Sequence, residues 1–295
     1  MNPRRLKAFL WKPLAIGALL TAFASPLSAQ PRGRPDPRFV QPEQIDPAEG
    51  ARVIEAFRSA RTNGDFSFSF ELVNRRRGQK PETSFGRMLG TWDGEGRALT
   101  RTEINLPDGR VLRFVYRGGP EGWILRAEGD SPAEKIEGAA SFKPILDGFT
   151  FTPFELRMPF LFWADYRYEG TKKLQDRPAH YFLLYPPEGV DCGEIRAVRV
   201  AIDADFLVML MAEELGADGN PLKEFRINGF AKVNGQWIVK EIDLVDDRTK
   251  DRTRFRVDDA LVGISLPQEL FAVAPGQPIP SIPSPAASKM EESRD

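Results

Sequence analysis

Residues 66–72 alternate strictly between apolar and polar: Phe66, Ser67, Phe68, Ser69, Phe70, Glu71, Leu72. A period of two puts every second side chain on one face, so the run predicts a strand with one buried and one wet face. Just before it the period is helical. Val53, Ile54, Phe57 and Ala60 recur at three- and four-residue spacing. Asp46, Pro47 and Glu49 supply a cap, a proline suited to the first turn and a carboxylate able to reach back. Asn63 and Gly64 stop the pattern, which predicts one amphipathic helix over 46–62. Further strand patterns lie at about 84–92, 96–106, 110–117 and 121–128, and again near 165–175, 179–186, 195–203, 206–215, 222–232, 236–246 and 252–261. Turn residues punctuate them, among them Pro107-Asp108-Gly109, Asp218-Gly219-Asn220 and Asn234-Gly235. Short turns between successive strands imply an antiparallel meander, because parallel pairs need long crossovers.

Between residues 140 and 163 the rhythm breaks. Twelve large apolar residues from Phe142 to Trp163 fall among three prolines, too irregularly for a strand. This predicts short helical turns, including one over about 153–162, lying across an apolar surface as a lid over a pocket or as a plug in an ordinary core. Runs of antiparallel strands with segregated helices make the fold class α+β. One strongly curved sheet of about eleven or twelve strands, wrapped around the helices, buries both the helix stripe and the Phe-rich segment.

The two ends have other compositions. Arg4, Arg5, Lys7 and Lys12 precede an uncharged stretch from Leu14 to Ala24, and Ser25-Pro26-Leu27-Ser28-Ala29 closes it with small residues. This is export-signal architecture, with cleavage expected after Ala29. The apolar stretch is short for a spanning helix, which needs ~20 such residues. Residues 30–45 carry four prolines and predict an extended leader; residues 275–295 are rich in Pro, Ser and Ala and then charged, and predict a disordered tail. The folded domain is expected over 46–274, exported to the periplasm.

Charge and chemistry narrow the function. The 295 residues hold 41 Lys and Arg against 42 Asp and Glu, one His and one Cys. Removing the four basic residues of the signal leaves 37 against 42, a net charge of −5. That balance argues against nucleic-acid binding. One Cys excludes an internal disulfide, and with one His it cannot build a zinc cage, so no metal or other cofactor is expected. His180 reads as a polar-face strand residue and Cys192 as an inert loop thiol. Arg75-Arg76-Arg77 and the mixed charges of 246–252 read as exposed turns. Acidic pairs such as Glu213-Glu214 carry little information among so many carboxylates. No nucleophile elbow or glycine-rich phosphate loop is present, so the chain is read as non-catalytic.

From about residue 140 an ordered series of motifs is similar to the LolA-like outer-membrane lipoprotein-sorting family, of the LolA, LolB and RseB type. It begins with Asp147-Gly148-Phe149-Thr150-Phe151-Thr152-Pro153-Phe154-Glu155-Leu156 and Phe160-Leu161-Phe162-Trp163. It continues through Tyr168-Glu169-Gly170, Leu174-Gln175-Asp176-Arg177-Pro178-Ala179-His180-Tyr181 and Arg199-Val200-Ala201-Ile202-Asp203. Asp218-Gly219-Asn220-Pro221-Leu222-Lys223, Gly235-Gln236-Trp237-Ile238-Val239, Thr253-Arg254-Phe255-Arg256-Val257 and Leu266-Pro267-Gln268-Glu269-Leu270-Phe271 complete it. The resemblance implies an incomplete, strongly curved antiparallel half-barrel whose concave face is covered by helices. It also implies partners: acyl chains of lipids or lipoproteins, carried or sensed in outer-membrane lipoprotein sorting, and membrane-bound envelope proteins. On such a fold Phe66, Phe68, Phe70, Leu72, Trp92, Phe114, Trp123, Phe149, Phe160 and Trp163 are the candidates for the cavity or its lid, and Arg87 or Arg101 for a rim arginine. The alternatives are an envelope protein-interaction module on the same fold without lipid and, last, a hydrolase working with carboxylates alone.

Overall fold

The computed structural model describes residues 45–119 and 121–283; the expected signal, nearly all of the leader and the last twelve positions lie outside them. Helix α1 (Pro47–Ser59) starts where the pattern places it, with the Asp46 carboxylate accepting from the Ala48 amide at 2.9 Å. Its Ile54 and Phe57 are buried. Thirteen strands follow: β1 (Asp65–Arg75), β2 (Glu82–Trp92), β3 (Ala98–Asn105), β4 (Val111–Arg117), β5 (Trp123–Glu128), β6 (Glu134–Lys135), β7 (Tyr166–Leu174), β8 (Arg177–Leu184), β9 (Ala197–Asp203), β10 (Met209–Leu215), β11 (Pro221–Val233), β12 (Gln236–Asp246) and β13 (Arg252–Ile264). The two-residue β6 carries no alternation that a sequence pattern could detect.

All thirteen form one open antiparallel sheet in the order β6-β5-β4-β3-β2-β1-β13-β12-β11-β10-β9-β8-β7. The chain enters at the middle and meanders outward to the β6 edge. It then crosses to the β7 edge and meanders back until β13 pairs with β1. The segment between β6 and β7 is the only connection in this sheet that joins non-neighbours. It is the Phe-rich stretch, folded as a 3₁₀ turn (Gly138–Phe142), helix α2 (Pro153–Arg157) and a second 3₁₀ turn (Pro159–Phe162). Thr152 and Glu155 form a full capping box on α2, and Met158 ends it in the left-handed region at φ 40°.

The alternation of β1 is realised, with buried and half-buried residues strictly interleaved. Phe66, Phe68 and Phe70 are opposed on β2 by Gly90, Met88 and Gly86. The glycines are required there because the phenyl rings lie over them: a Cβ on Gly90 would sit 2.1 Å from the Phe66 ring. That ring is stacked on Phe68 at 4.5 Å, so moving it aside disturbs a second ring. Gly90→Val is therefore expected to lower stability by about 1–3 kcal/mol through overpacking, read as a fall in urea midpoint at unchanged slope. Among the turns, Asn234 and Gly235 both take positive φ and join β11 to β12 as predicted, whereas the equivalent pair between β7 and β8 is Gln175-Asp176.

Two expectations are corrected. His180 is not on a wet face: it is buried, and its Nδ1 lies 2.7 Å from the Tyr168 hydroxyl and 3.0 Å from that of Thr171. In the expected disordered tail, Ile279 and Ile282 are buried against the sheet, while the other residues of 275–283 are exposed. After a 3₁₀ turn (Gln268–Phe271) the chain runs as a strap over the outer face of β2–β5, where Ile279 and Ile282 are buried.

Candidate functional site

A cavity of about 80 Å³ lies between the sheet and the crossing segment. Seven consecutive strands contribute to its wall, from Tyr116 on β4 through Thr102, Met88, Phe70 and Phe255 to Ile242 and Phe225 on β12 and β11. Laid flat, six inter-strand steps of ~4.8 Å would separate the outermost of these by roughly 29 Å. They meet around one small void because the sheet is strongly curved. The opposite wall is the crossing segment, through Ile145, Phe151, Leu156 and Met158. Glu155 is the one ionisable carboxylate on the lining, and burial holds the Tyr116 phenol up at about 12, so it stays protonated.

Glu155 is held in an ion pair. Its Oε2 accepts from the Thr152 amide at 2.6 Å and its Oε1 from Lys223 Nζ at 2.6 Å. Lys223 also donates to the Thr150 carbonyl at 3.0 Å. Beside them Glu214 is buried, and burial together with the neighbouring Glu155 raises its pKa well above the ordinary glutamate value. The Glu213-Glu214 pair is thus divided by the strand pleat. Glu213 pairs with Arg199 at 3.1 Å on one face, and Glu214 points into the core on the other.

A family model described as "Uncharacterized protein" matches residues 158–274. No curated protein matches the chain by sequence. Among solved structures, a DUF1329 family protein from Desulfovibrio piger superposes with a TM-score of 0.67 at 14% identity, over 76% of this chain and 96% of that one. A domain from Vibrio parahaemolyticus described as an outer membrane lipoprotein-sorting protein gives 0.65 at 14% identity, over 76% and 95%. A LolA superfamily protein from Nitrosomonas europaea gives 0.55 at 15% identity, over 75% and 96%. This chain has a LolA-like fold.

On the LolA-like frame the candidate residues separate into groups. Phe70 and Leu72 line the cavity. Phe66, Phe68, Phe114 and Phe149 are buried in the same core but stand behind the lining. Phe160 borders a second void, of about 10 Å³, with Glu155, Glu214 and Lys223. Trp123 and Trp163 meet elsewhere, in a crevice of about 380 Å³ on the far side of α2.

Trp92 and the two arginines are corrected. Trp92 lies outside the core, its Nε1 donating to the Thr62 hydroxyl at 2.9 Å with the Arg61 guanidinium over its ring at 5.4 Å. Arg87 and Arg101 leave β2 and β3 on the face opposite to Met88 and Thr102, so neither reaches the cavity rim. Arg101 is almost wholly buried beneath the C-terminal strap, donating to the carbonyls of Leu270, at 2.7 Å, and Pro280. Sequence reasoning missed the lining residues Met88, Ile104, Ile145, Phe225 and Phe255 because apolar residues scattered over distant strands become neighbours only when the sheet curls. Cys192 behaves as expected: it is buried, and burial with the nearby Asp191 pushes its thiol pKa up.

Proposed function

We propose that this protein is a non-catalytic binder of acyl chains, exported to the periplasm and serving lipid or lipoprotein handling in the cell envelope. The observation that carries the reading is the apolar void between the curved sheet and the crossing segment. An acyl chain leaving water gains ~0.8 kcal/mol per buried CH₂, so a carrier needs an apolar hollow and no reactive group. At about 80 Å³ the void would hold on the order of six waters. A long acyl chain therefore enters only as the crossing segment lifts, and that segment, with its helices over the concave face, acts as a roof. Two features suit it to move. Pro153 and Pro159 bracket α2, and Met158 holds a left-handed conformation that costs a non-glycine residue about 1–2 kcal/mol. Refilling the hollow with Ile145, Phe151 and Leu156 after release avoids the packing loss of an empty cavity.

A fluorescent long-chain fatty acid titrated into the purified protein is expected to brighten and shift to the blue, saturating at a defined stoichiometry. Native mass spectrometry of the purified protein is expected to find lipid. A flat titration at saturating fatty acid overturns the reading, and a tightly retained protein partner with no lipid would favour an interaction module on the same fold.

A further inference from the structure

The 380 Å³ crevice is larger than the inner void and chemically different. It opens where the two halves of the sheet approach each other, between β5–β6, the crossing segment and the loop after β8. α2 is the partition: Glu155 and Leu156 face the inner void, while Phe154 and Arg157 face the crevice. The walls are aromatic, with Trp123, Phe142, Phe162 and Trp163 joining Phe154.

Arg157 is the anomaly. It is partly buried, and its guanidinium donates to the Gly122 carbonyl. Among the described residues no carboxylate pairs with it: Asp191 also lines the crevice, but its Oδ1 accepts from the Gly193 amide at 2.9 Å, and burial holds the nearby Cys192 thiol neutral. Lys135, the other cation on the lining, is already paired with Glu137 at the rim. Guanidinium groups taken out of water are normally matched by a carboxylate or phosphate, and the planar fork suits either. One carbonyl leaves most of the five Arg157 donors for another partner. The volume falls within the range of small-molecule sites, about 300–1,000 Å³ with mostly apolar walls and a few polar anchors.

We infer that the crevice is a separate binding site for a single-chain anionic amphiphile, its carboxylate or phosphate held by Arg157 and its hydrocarbon laid against Trp123 and Trp163. The site stands apart from the acyl-chain reading of the inner void, because α2 lies between them.

Isothermal titration of the purified protein with dodecyl phosphate, dodecanoate, dodecanol and inorganic phosphate tests it. At least one dodecyl anion is expected to bind tenfold or more tightly than dodecanol. Arg157→Gln should bring the anions down to the alcohol's affinity and leave the alcohol unchanged. Preference for one anion assigns the head as phosphate or carboxylate. Equal affinity for dodecanol and the anions overturns the anion site while leaving chain binding in place. Binding of neither overturns both readings. Inorganic phosphate binding as tightly as dodecyl phosphate overturns the amphiphile. 12-Bromododecanoate provides a check that does not depend on the Arg157 variant folding: it should quench tryptophan emission, and Trp123→Phe should reduce that quenching. Quenching unaltered by Trp123→Phe overturns the location.

Discussion

Lys223→Met should cost about 3–5 kcal/mol of stability near neutral pH, the usual consequence of removing one partner from a buried ion pair. Lys223 is the cation that compensates Glu155, and the two meet beneath α2 with little exposure to screening solvent. Without it the Glu155 carboxylate stays buried beside Glu214. Urea unfolding of both proteins near neutral pH measures this, and an unchanged midpoint in the variant would contradict the account. The wild-type protein has its own pH dependence here. Glu214 has a raised pKa when folded, so above the ordinary glutamate range the folded state holds a proton that the unfolded chain has released. Stability must then fall as pH rises from that range toward the folded value. Lys223 has a raised pKa as well, so its contribution is full below the ordinary lysine value and is lost only as pH climbs through the folded one. Glu214→Gln should flatten the carboxylate slope without abolishing folding.

Ending the chain after Ser265 should have an effect of similar or greater size. The strap then lost carries Phe271, Ile279 and Ile282, each almost fully buried. At about 1.5–3 kcal/mol for each such side chain, the loss approaches the whole net stability of an ordinary domain, about 5–15 kcal/mol. The strap also supplies the carbonyl partners of Arg101 and the Ile282 amide that donates to Glu103 at 3.1 Å. Removing it uncovers Leu89, Val115 and Leu125 on the outer face. A truncated protein should bind the hydrophobic dye ANS and unfold at markedly lower urea. Retention of wild-type stability would mean that the strap rests on a surface able to do without it.

The two variants probe parts of the molecule that were unequally legible in the amino-acid sequence. Alternation in 66–72 and the short turns after it were enough for an antiparallel meander, since a period of two and a loop too short for a crossover are local properties. The 46–62 helix and the irregular Phe-rich crossing were legible for the same reason. The strap was not. Its Pro- and Ser-rich composition resembles an unfolded tail, and only the presence of a groove over β2–β5 decides that Ile279 and Ile282 are buried.

The candidate site divides in the same way. The apolar face of β1 is written in four residues, and Phe70 and Leu72 reach the void because they lie on it. Which other side chains join them depends on the curvature of the sheet, which brings β4 and β11 to one cavity although they are far apart in the chain. Charge placement is equally remote from local pattern. Glu213 and Glu214 are adjacent in sequence, yet the pleat sends one to Arg199 and the other into the core beside Lys223. Arg101 and Arg157 look alike in the chain, but one donates to strap carbonyls and the other faces an aromatic-walled crevice without an ion-pair partner among the described residues. Periodicity, turns and caps are short-range and were determined by the sequence itself. Burial, cavity lining and charge pairing are long-range quantities, set by which strands the curled sheet and its crossing segment bring together, and only the tertiary structure decided them.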